Sequence, residues 1–226
     1  MGDYFRLALA NKAIGAQSQA VGIRVFKGVS RLVLGFVTKK ALTGWLNVPE
    51  YMPNFQFYER HRATITTPHP EKILSAVADY DIQQDFIIRT LMSVRQLPQR
   101  LRLGESRGSI NQFGLGNFTL LEKSTTELCY GLRGQFWRSD FGLEDIPDAR
   151  AYCAALKPGN AKLLLWYQLQ KIANDKYALC TETFIHCSDR ATYLKMALYW
   201  LAIRAGSGWI RQRTLKAVKR SLEKTG

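Results

Sequence analysis

The side chains that could do acid–base or nucleophilic chemistry are few and scattered in this sequence. His186 and Cys187 are adjacent in a run that alternates like a strand, so they point to opposite faces and cannot form a dyad. Glu182 and His186 share a face of that strand, but they lie four positions apart along it. His61 lies between two arginines and is expected to be an exposed sheet residue. The sequence therefore assigns no catalytic residue.

Metal and nucleotide motifs are also missing from the sequence. The four cysteines form no CxxC pair, and neither HExxH, GxGxxG nor a P-loop occurs. We therefore predict no metal site and no cofactor. The cysteines are expected to be buried reduced thiols, which favours a reducing, cytoplasmic compartment. These cysteines are Cys129, Cys153, Cys180 and Cys187.

The elements that must position any site are a set of alternating strands and a few helices. Residues 55–67 predict a strand that has two faces: Tyr58, Arg60, Arg62 and Thr64 on one, Ala63 and Ile65 on the other. Two helices are expected next, followed by a loop over 102–117. The helices cover 70–81 and 81–97. Four further strands are predicted over 116–125, 126–138, 162–172 and 177–187, the last two as a hairpin.

The C-terminal quarter of the chain predicts helix. Ser188 is a plausible N-cap, and the run Gly206-Ser207-Gly208 is expected to separate a last helix. An antiparallel sheet must cover its apolar face, and only this terminal segment is long enough to do so. We therefore predict an α+β fold in which a curved antiparallel sheet wraps on a long C-terminal helix. Such an arrangement suits an apolar ligand held in the intervening space.

Five segments resemble bacterial proteins of the SRPBCC superfamily, a START-like group often labelled polyketide cyclase/dehydrase-like. The resemblance covers about residues 55–224 and rests on ERHRATITTPHPEKILSAV, GLRGQFWR, KPGNAKLLLWYQL, LCTETFIHCSD and YWLAIRAGSGWIRQRTLKAVKRSLEK. It implies a helix-grip fold with a hydrophobic-ligand cavity between sheet and helix, but not one reaction. Two positions depart from the pattern of the group, Arg133 and Trp166, and they leave the inward face of two strands open.

Binding of a lipid or other apolar small molecule is the leading interpretation. Strand alternation and the resemblance nominate the ligand-binding residues Tyr130, Leu132, Phe136, Leu165, Tyr167, Thr181, Thr183 and Arg211. Leu163, Leu179 and Ile185 are expected on the same inner face. A cyclase-like or aromatase-like enzyme stays an alternative, because such an enzyme could act through one or two polar groups in the same cavity.

Positive charge is concentrated at the two ends of the chain. The net charge is +14; residues 1–49 carry seven Lys or Arg against one acid, and residues 189–226 carry nine against two. Anionic bilayers and nucleic acids are the partners that such ends would suit. Nucleic acid is disfavoured, since no known motif occurs and no Lys/Arg run exceeds a dipeptide. The sequence does not indicate an oligomeric state.

Residues 1–54 are expected to form a helical extension and linker, and residues 55–226 the ligand-binding domain. Within the extension, residues 22–40 predict a basic amphipathic helix that either packs on its own domain or lies on an anionic membrane. The membrane-facing residues would be Arg24, Lys27, Arg31, Lys39 and Lys40. Residues 47–54, which contain two prolines, are expected to be a linker.

The basic C-terminal tail predicts a helix that closes the sheet. Its apolar arc includes Thr214, Leu215 and Val218, and the opposite arc carries Lys216 and Arg220. Arg211 alone among the basic residues falls within the apolar arc. It would either snorkel to solvent or point into the mouth of the cavity toward an anionic ligand group.

Overall fold

The computed structural model describes residues 34–45, 47–79, 117–138 and 142–223. Within the C-terminal helix, the side chains at 203–208, 210, 211 and 221–223 are outside that description. The helix predicted over 81–97, the loop over 102–117 and most of the amphipathic segment 22–40 therefore lie outside the described residues. From Val33 onward the chain belongs to one compact unit.

A curved antiparallel sheet of five strands is the centre of this α+β unit. The strand order is β1-β5-β4-β3-β2, and every neighbouring pair is antiparallel. The strands are β1 (Phe57–Thr66), β2 (Thr119–Lys123), β3 (Glu127–Gly134), β4 (Ala161–Ala173) and β5 (Lys176–Cys187). Each lies within or very near a segment whose alternation predicts a strand, so this part of the prediction is confirmed.

Four helices are described around the sheet. They are α1 (Lys39–Thr43), α2 (Glu71–Ala78), α3 (Ala149–Cys153) and α4 (Arg190–Glu223). Helix α2 begins directly after Pro70 with an acid in its first turn, and it buries Ile73, Leu74 and Val77. Among the described helices none is both long and apolar enough to cross a membrane.

Helix α4 is one continuous helix of 34 residues, which corrects two predictions. The expected break at 206–208 does not occur, because the helix is packed on the sheet on both sides of that run, at Trp200 and at Leu215. Each glycine costs about 1 kcal/mol relative to alanine, which this burial outweighs. The N-cap is Asp189 rather than Ser188: its Oδ1 accepts from the Thr192 amide at 2.8 Å.

The segment before β1 packs on the sheet and is not the end of a long helix. Leu34 and Gly35 form a turn, and Phe36 makes a β-bridge to Phe57. Gly35 has a φ of +78°, and a Cβ there would lie 2.5 Å from the carbonyl oxygen of Tyr58, so only glycine fits. The prediction of helix through residue 40 is therefore wrong at 34–37, where sheet pairing satisfies the backbone instead.

Residues 47–54, which are predicted to form a linker, are mostly exposed but contain the buried Met52. Met52 and the following Phe55 are almost fully buried, and Phe55 contacts Phe184 edge-to-face at 4.8 Å. Burying two large apolar side chains stabilises this docking by several kcal/mol, about 1.5–3 for each residue.

Candidate functional site

Two rows of side chains cross the face of the sheet that α4 covers. One row runs from His61 through Thr181 and Tyr167 to Leu128. The next runs from Glu59 through Thr183 and Leu165 to Tyr130. Directly opposed residues in a sheet share a face, so these eight side chains form one surface. We call its polar end, Glu59, His61, Thr181 and Thr183, the inner polar patch.

Apolar clusters flank the inner polar patch on both sides along the strands. The Leu215 cluster contains Ile65, Ile73, Leu74, Val77, Leu128, Tyr130, Leu165, Tyr167, Tyr177, Leu179, Leu215 and Val218. The Trp200 cluster contains Phe57, Leu132, Phe136, Ala161, Ile185, Cys187, Met196 and Trp200. Because both clusters include residues of α4, the helix spans the patch. The stretch of α4 between these contacts contains Gly206, Ser207 and Gly208, which carry little or no side chain.

The two threonines of the inner polar patch are buried without hydrogen bonds. Thr181 is 1% exposed and Thr183 0% exposed. Neither Oγ1 atom has a hydrogen-bond partner among the described residues. A buried hydroxyl without a partner costs about 1–3 kcal/mol, and native proteins contain few of them. The two threonines lie on the same strand, two residues apart, so the patch contains two adjacent buried hydroxyls with unused donors and acceptors.

His61 and Glu59 complete the inner polar patch from the edge strand β1. The His61 side chain is 13% exposed, and its Nε2 lies 3.3 Å from Glu59 Oε1. This contact is within ion-pair distance but is not aligned as a hydrogen bond, and His61 Nε2 has no such bond among the described residues. The expectation that His61 is an exposed sheet residue is therefore wrong, because β1 turns this side chain toward α4.

The nominated ligand-binding residues lie on the α4 side of the sheet, wherever their side chains are described. Thr181 and Thr183 are in the patch, and Tyr130, Leu165 and Tyr167 continue its rows into the Leu215 cluster. Burial raises the pKa of Tyr130, and the nearby Asp79 adds to this effect. Leu132 and Phe136 belong instead to the Trp200 cluster. The Arg211 side chain falls outside the description.

Sequence reasoning missed Glu59 and His61 as site residues, although a signal for them was present. Both occupy odd-numbered positions of β1, on the same face as Phe57, Ala63 and Ile65. The residues at both ends of this set are apolar. A polar pair in the middle of an apolar face is the pattern of a buried polar site. The flanking Arg60 and Arg62 suggest a solvent-exposed strand, so the buried polar pair is not recognised from the sequence.

The opposite, outer face of the sheet carries a second buried polar group that is fully engaged. Glu182 Oε1 accepts a hydrogen bond from the Tyr58 hydroxyl at 2.5 Å and lies 3.6 Å from Arg60 Nε. Arg60 Nη2 also donates to the Cys180 sulfur at 3.4 Å. Burial raises the pKa of Glu182, while the Tyr58 hydrogen bond and Arg60 oppose that rise. This group has the environment of a structural ion pair.

Arg133 and Trp166 both belong to the outer face. Arg133 is buried there and donates to the carbonyl oxygens of Ala151, Ala154 and Ala155, at the end of α3. Its Nε lies 3.1 Å from Glu144 Oε2. The centroids of the Trp166 and Phe184 rings lie 6.4 Å apart. Neither departure therefore changes the lining of the α4-facing side.

The residues predicted to face a membrane are only partly described. Arg24, Lys27 and Arg31 lie outside the described residues. Lys39 and Lys40 are exposed on the short helix α1, which Thr38 caps through a hydrogen bond to the Ala41 amide. A solvated helix and a membrane-facing helix would both expose these two lysines.

The described cysteines, histidines and acids form no group placed to hold a metal ion. Cys129, Cys180 and Cys187 are buried free thiols, whereas Cys153 is exposed. Burial raises the pKa of Cys187 to about 12, and Asp189 adds to this rise, so its thiol stays protonated at neutral pH. Comparison of the chain with protein-family models, curated proteins and solved structures finds no match.

Proposed function

We propose that this protein binds an apolar small molecule or lipid between the sheet and α4, with the polar end of the ligand at the inner polar patch. The observation that carries the proposal is the pair of buried, unpartnered hydroxyls of Thr181 and Thr183. A ligand group that bonds to both would remove a cost of about 1–3 kcal/mol at each threonine. The apolar clusters on either side supply the hydrophobic contacts for the rest of the molecule.

The chemistry of the patch favours a neutral polar group on the ligand. Thr181 and Thr183 can each donate and accept one hydrogen bond, and His61 adds a ring nitrogen. Glu59 contributes the only formal negative charge of the patch, which disfavours an anionic ligand end beside it. A hydroxyl, a ketone carbonyl or an amide on a long apolar body fits this set of donors and acceptors.

We also propose the helix-grip arrangement of START-like proteins as the architecture behind this site. Three features support it: the antiparallel sheet, the two short elements α1 and α3 outside its α4-facing side, and a C-terminal helix packed along that side. Membership of the SRPBCC superfamily rests on the sequence segments alone and is part of this proposal. The ligand hypothesis depends on the patch and not on that membership.

Native mass spectrometry of the gently purified full chain tests the binding function. We expect a bound species of small-molecule mass that is released by organic solvent. The double variant Thr181→Val/Thr183→Val keeps the side-chain shape and removes both hydroxyls, so its occupancy should fall about tenfold or more. Thr64→Val, an exposed strand position, is the matched control and should leave occupancy unchanged.

Two outcomes would contradict this function. One is a chain that carries no small molecule and takes up none from a panel of long-chain alcohols, ketones and amides. The other is occupancy that the double threonine variant leaves unchanged, because the ligand would then lie away from the patch.

A second candidate function, acid–base catalysis on the bound molecule, is favoured by the contact between Glu59 and His61. A carboxylate beside an imidazole is the arrangement that lets a histidine exchange protons with a substrate. The test compares the compound recovered from wild-type protein with that from His61→Asn. Compounds of different mass, for example by one water, would support catalysis, whereas the same compound from both proteins would favour simple binding.

A further inference from the structure

The solvent side of α4 carries an apolar stripe that belongs to neither of the two apolar clusters of the described residues. Leu194, Leu198 and Leu201 are 55%, 73% and 48% exposed, and their spacing of four and then three residues aligns them on one helix face. Trp209 lies eleven residues after Leu198, about three helical turns, and is also exposed. We call these four residues the outer leucine stripe.

The described contacts between α4 and the sheet come from the opposite side of the helix. Met196, Trp200, Leu215 and Val218 are almost fully buried in the two apolar clusters. The outer leucine stripe therefore has no role in closing the sheet. A single exposed leucine is ordinary, but three on successive turns with a tryptophan indicate a docking surface.

The charges around the outer leucine stripe identify the chemistry of its partner. Helix α4 contains eight Lys or Arg residues and one acid, Glu223. Arg190 and Lys195 are exposed near the first leucine, and Lys216 and Arg220 are exposed beyond Trp209. A surface that is apolar along its centre and basic at its flanks matches an anionic lipid bilayer, whose acyl region takes the leucines and whose phosphates face the cations.

Two further observations favour a bilayer over a second copy of this chain. Pairing two copies of α4 through the stripe would bring their Lys and Arg residues together, which is unfavourable at ordinary salt. Trp209, with Arg213 over its ring at 5.4 Å, is the residue type that concentrates at the boundary between acyl chains and headgroups.

We propose that α4 is a membrane-surface helix, which lies along an anionic bilayer with the outer leucine stripe inserted among the lipids. One side of the helix would then close the ligand site while the other contacts the membrane. The surface contact does not depend on the proposed ligand, since the stripe and its flanking charges are present whether or not the patch is occupied. It also differs from docking through residues 22–40.

Vesicle flotation with the full chain tests this proposal. The vesicles are phosphatidylcholine alone, or phosphatidylcholine with about one-third phosphatidylglycerol. We expect binding to the anionic vesicles only, weakened when salt is raised from about 0.05 M to about 0.5 M. Leu194→Ser/Leu198→Ser should lower the partition coefficient by at least about tenfold, since each leucine loses insertion into the acyl region.

Matched variants separate the stripe from other surfaces. Leu120→Ser/Ile172→Ser removes two exposed apolar side chains from the sheet and should leave flotation unchanged. Lys195→Glu should weaken binding, whereas Lys171→Glu, exposed on β4, should have a smaller effect.

Three results would overturn the proposal. They are no flotation of the wild-type chain with anionic vesicles, flotation that the leucine variants leave intact but Arg24→Glu/Lys27→Glu abolishes, and stripe-dependent self-association without vesicle binding. The second would assign the membrane contact to the N-terminal segment. The third would make a second copy the partner of the stripe.

Discussion

Strand β5 places buried polar side chains on both faces of the sheet. The outer one has hydrogen-bond partners, whereas the two inner ones have none among the described residues. On the outer face, Glu182 is held by the Tyr58 hydroxyl and lies near Arg60. On the inner face, its neighbours Thr181 and Thr183 are equally buried but have no hydrogen-bond partner among the described residues. The same strand therefore carries a completed polar network on one side and an incomplete one on the other.

The difference lies in what covers each face. The outer face is covered by aromatic and polar side chains from the segment before β1, including Trp45, whose ring lies 4.7 Å from the Tyr58 ring. The inner face is covered by α4, which contacts the sheet on either side of the inner polar patch, and by α2, whose buried residues join the Leu215 cluster. At Glu182 the outer face supplies its own hydrogen-bond partner, whereas at Thr181 and Thr183 the donors and acceptors of the inner face are unused.

The largest effect is expected where the inner face is closed, at Trp200. Trp200 is almost fully buried against Phe57, and its Nε1 donates to the Leu34 carbonyl oxygen at 3.0 Å. Trp200→Ala should lower the free energy of unfolding in urea by about 3–5 kcal/mol, because it leaves a large cavity. Trp209→Ala, an exposed tryptophan on the same helix, should change it by less than about 0.5 kcal/mol. Equal losses for both would mean that α4 is not docked through Trp200.

A somewhat smaller loss should follow from breaking the outer network. Glu182→Ala leaves the buried Tyr58 hydroxyl without its acceptor and removes the carboxylate near Arg60, so the free energy of unfolding should fall by about 2–3 kcal/mol. The loss stays below that of a fully buried ion pair because the Arg60 side chain is 30% exposed and can be solvated by water. Glu50→Ala, at an exposed position, is the control for removing a carboxylate. A neutral result at Glu182 would remove the distinction between the two faces.

The inner polar patch should respond in the opposite direction. After any bound compound is stripped, Thr181→Val and Thr183→Val should each raise the free energy of unfolding by about 1 kcal/mol, since a methyl group replaces a hydroxyl that has no partner. Chemical denaturation of the stripped proteins measures this. If either variant loses stability by a similar amount, its hydroxyl is bonded within the fold and the patch is structural.

The smallest effect is a dependence of stability on pH through Glu182. Burial raises the pKa of this carboxyl above its ordinary value of 4.5, so the native state holds the proton to higher pH than the unfolded chain does. Its contribution is therefore fully present below that ordinary value and is lost as the pH rises through the raised pKa. Relative to Glu182→Gln, which does not titrate, the wild type should lose stability as the pH rises from 4.5 through the raised pKa of Glu182. A difference that stays constant or rises over this range would show that Tyr58 and Arg60 outweigh burial.

Much of the sheet could be predicted from the sequence because alternation is a local property. Every described strand lies within or very near a predicted strand, and the side chains of Leu132, Leu165 and Ile185 share the predicted face. The closing role of the tail was also predictable, since Leu215 and Val218 fall on one helical arc and are buried as expected.

The polar residues of the site were harder to predict. Thr181 and Thr183 were identified because they continue an apolar face, but His61 was assigned to solvent on account of its arginine neighbours. Glycines are misleading in the same way: local propensity favours a break at Gly206–Gly208, yet packing of α4 against the sheet overrides it.

The sequence by itself determined which side chains lie together on each strand and that both ends of the chain are basic, because a period of two and a count of charges need no knowledge of distant residues. Only the tertiary structure decided which layer covers which face. It decided that Glu182 meets Tyr58 while Thr181 and Thr183 meet no described partner, and that three leucines of α4 face outward. These outcomes depend on contacts between segments far apart in the chain, for which a local pattern carries no information.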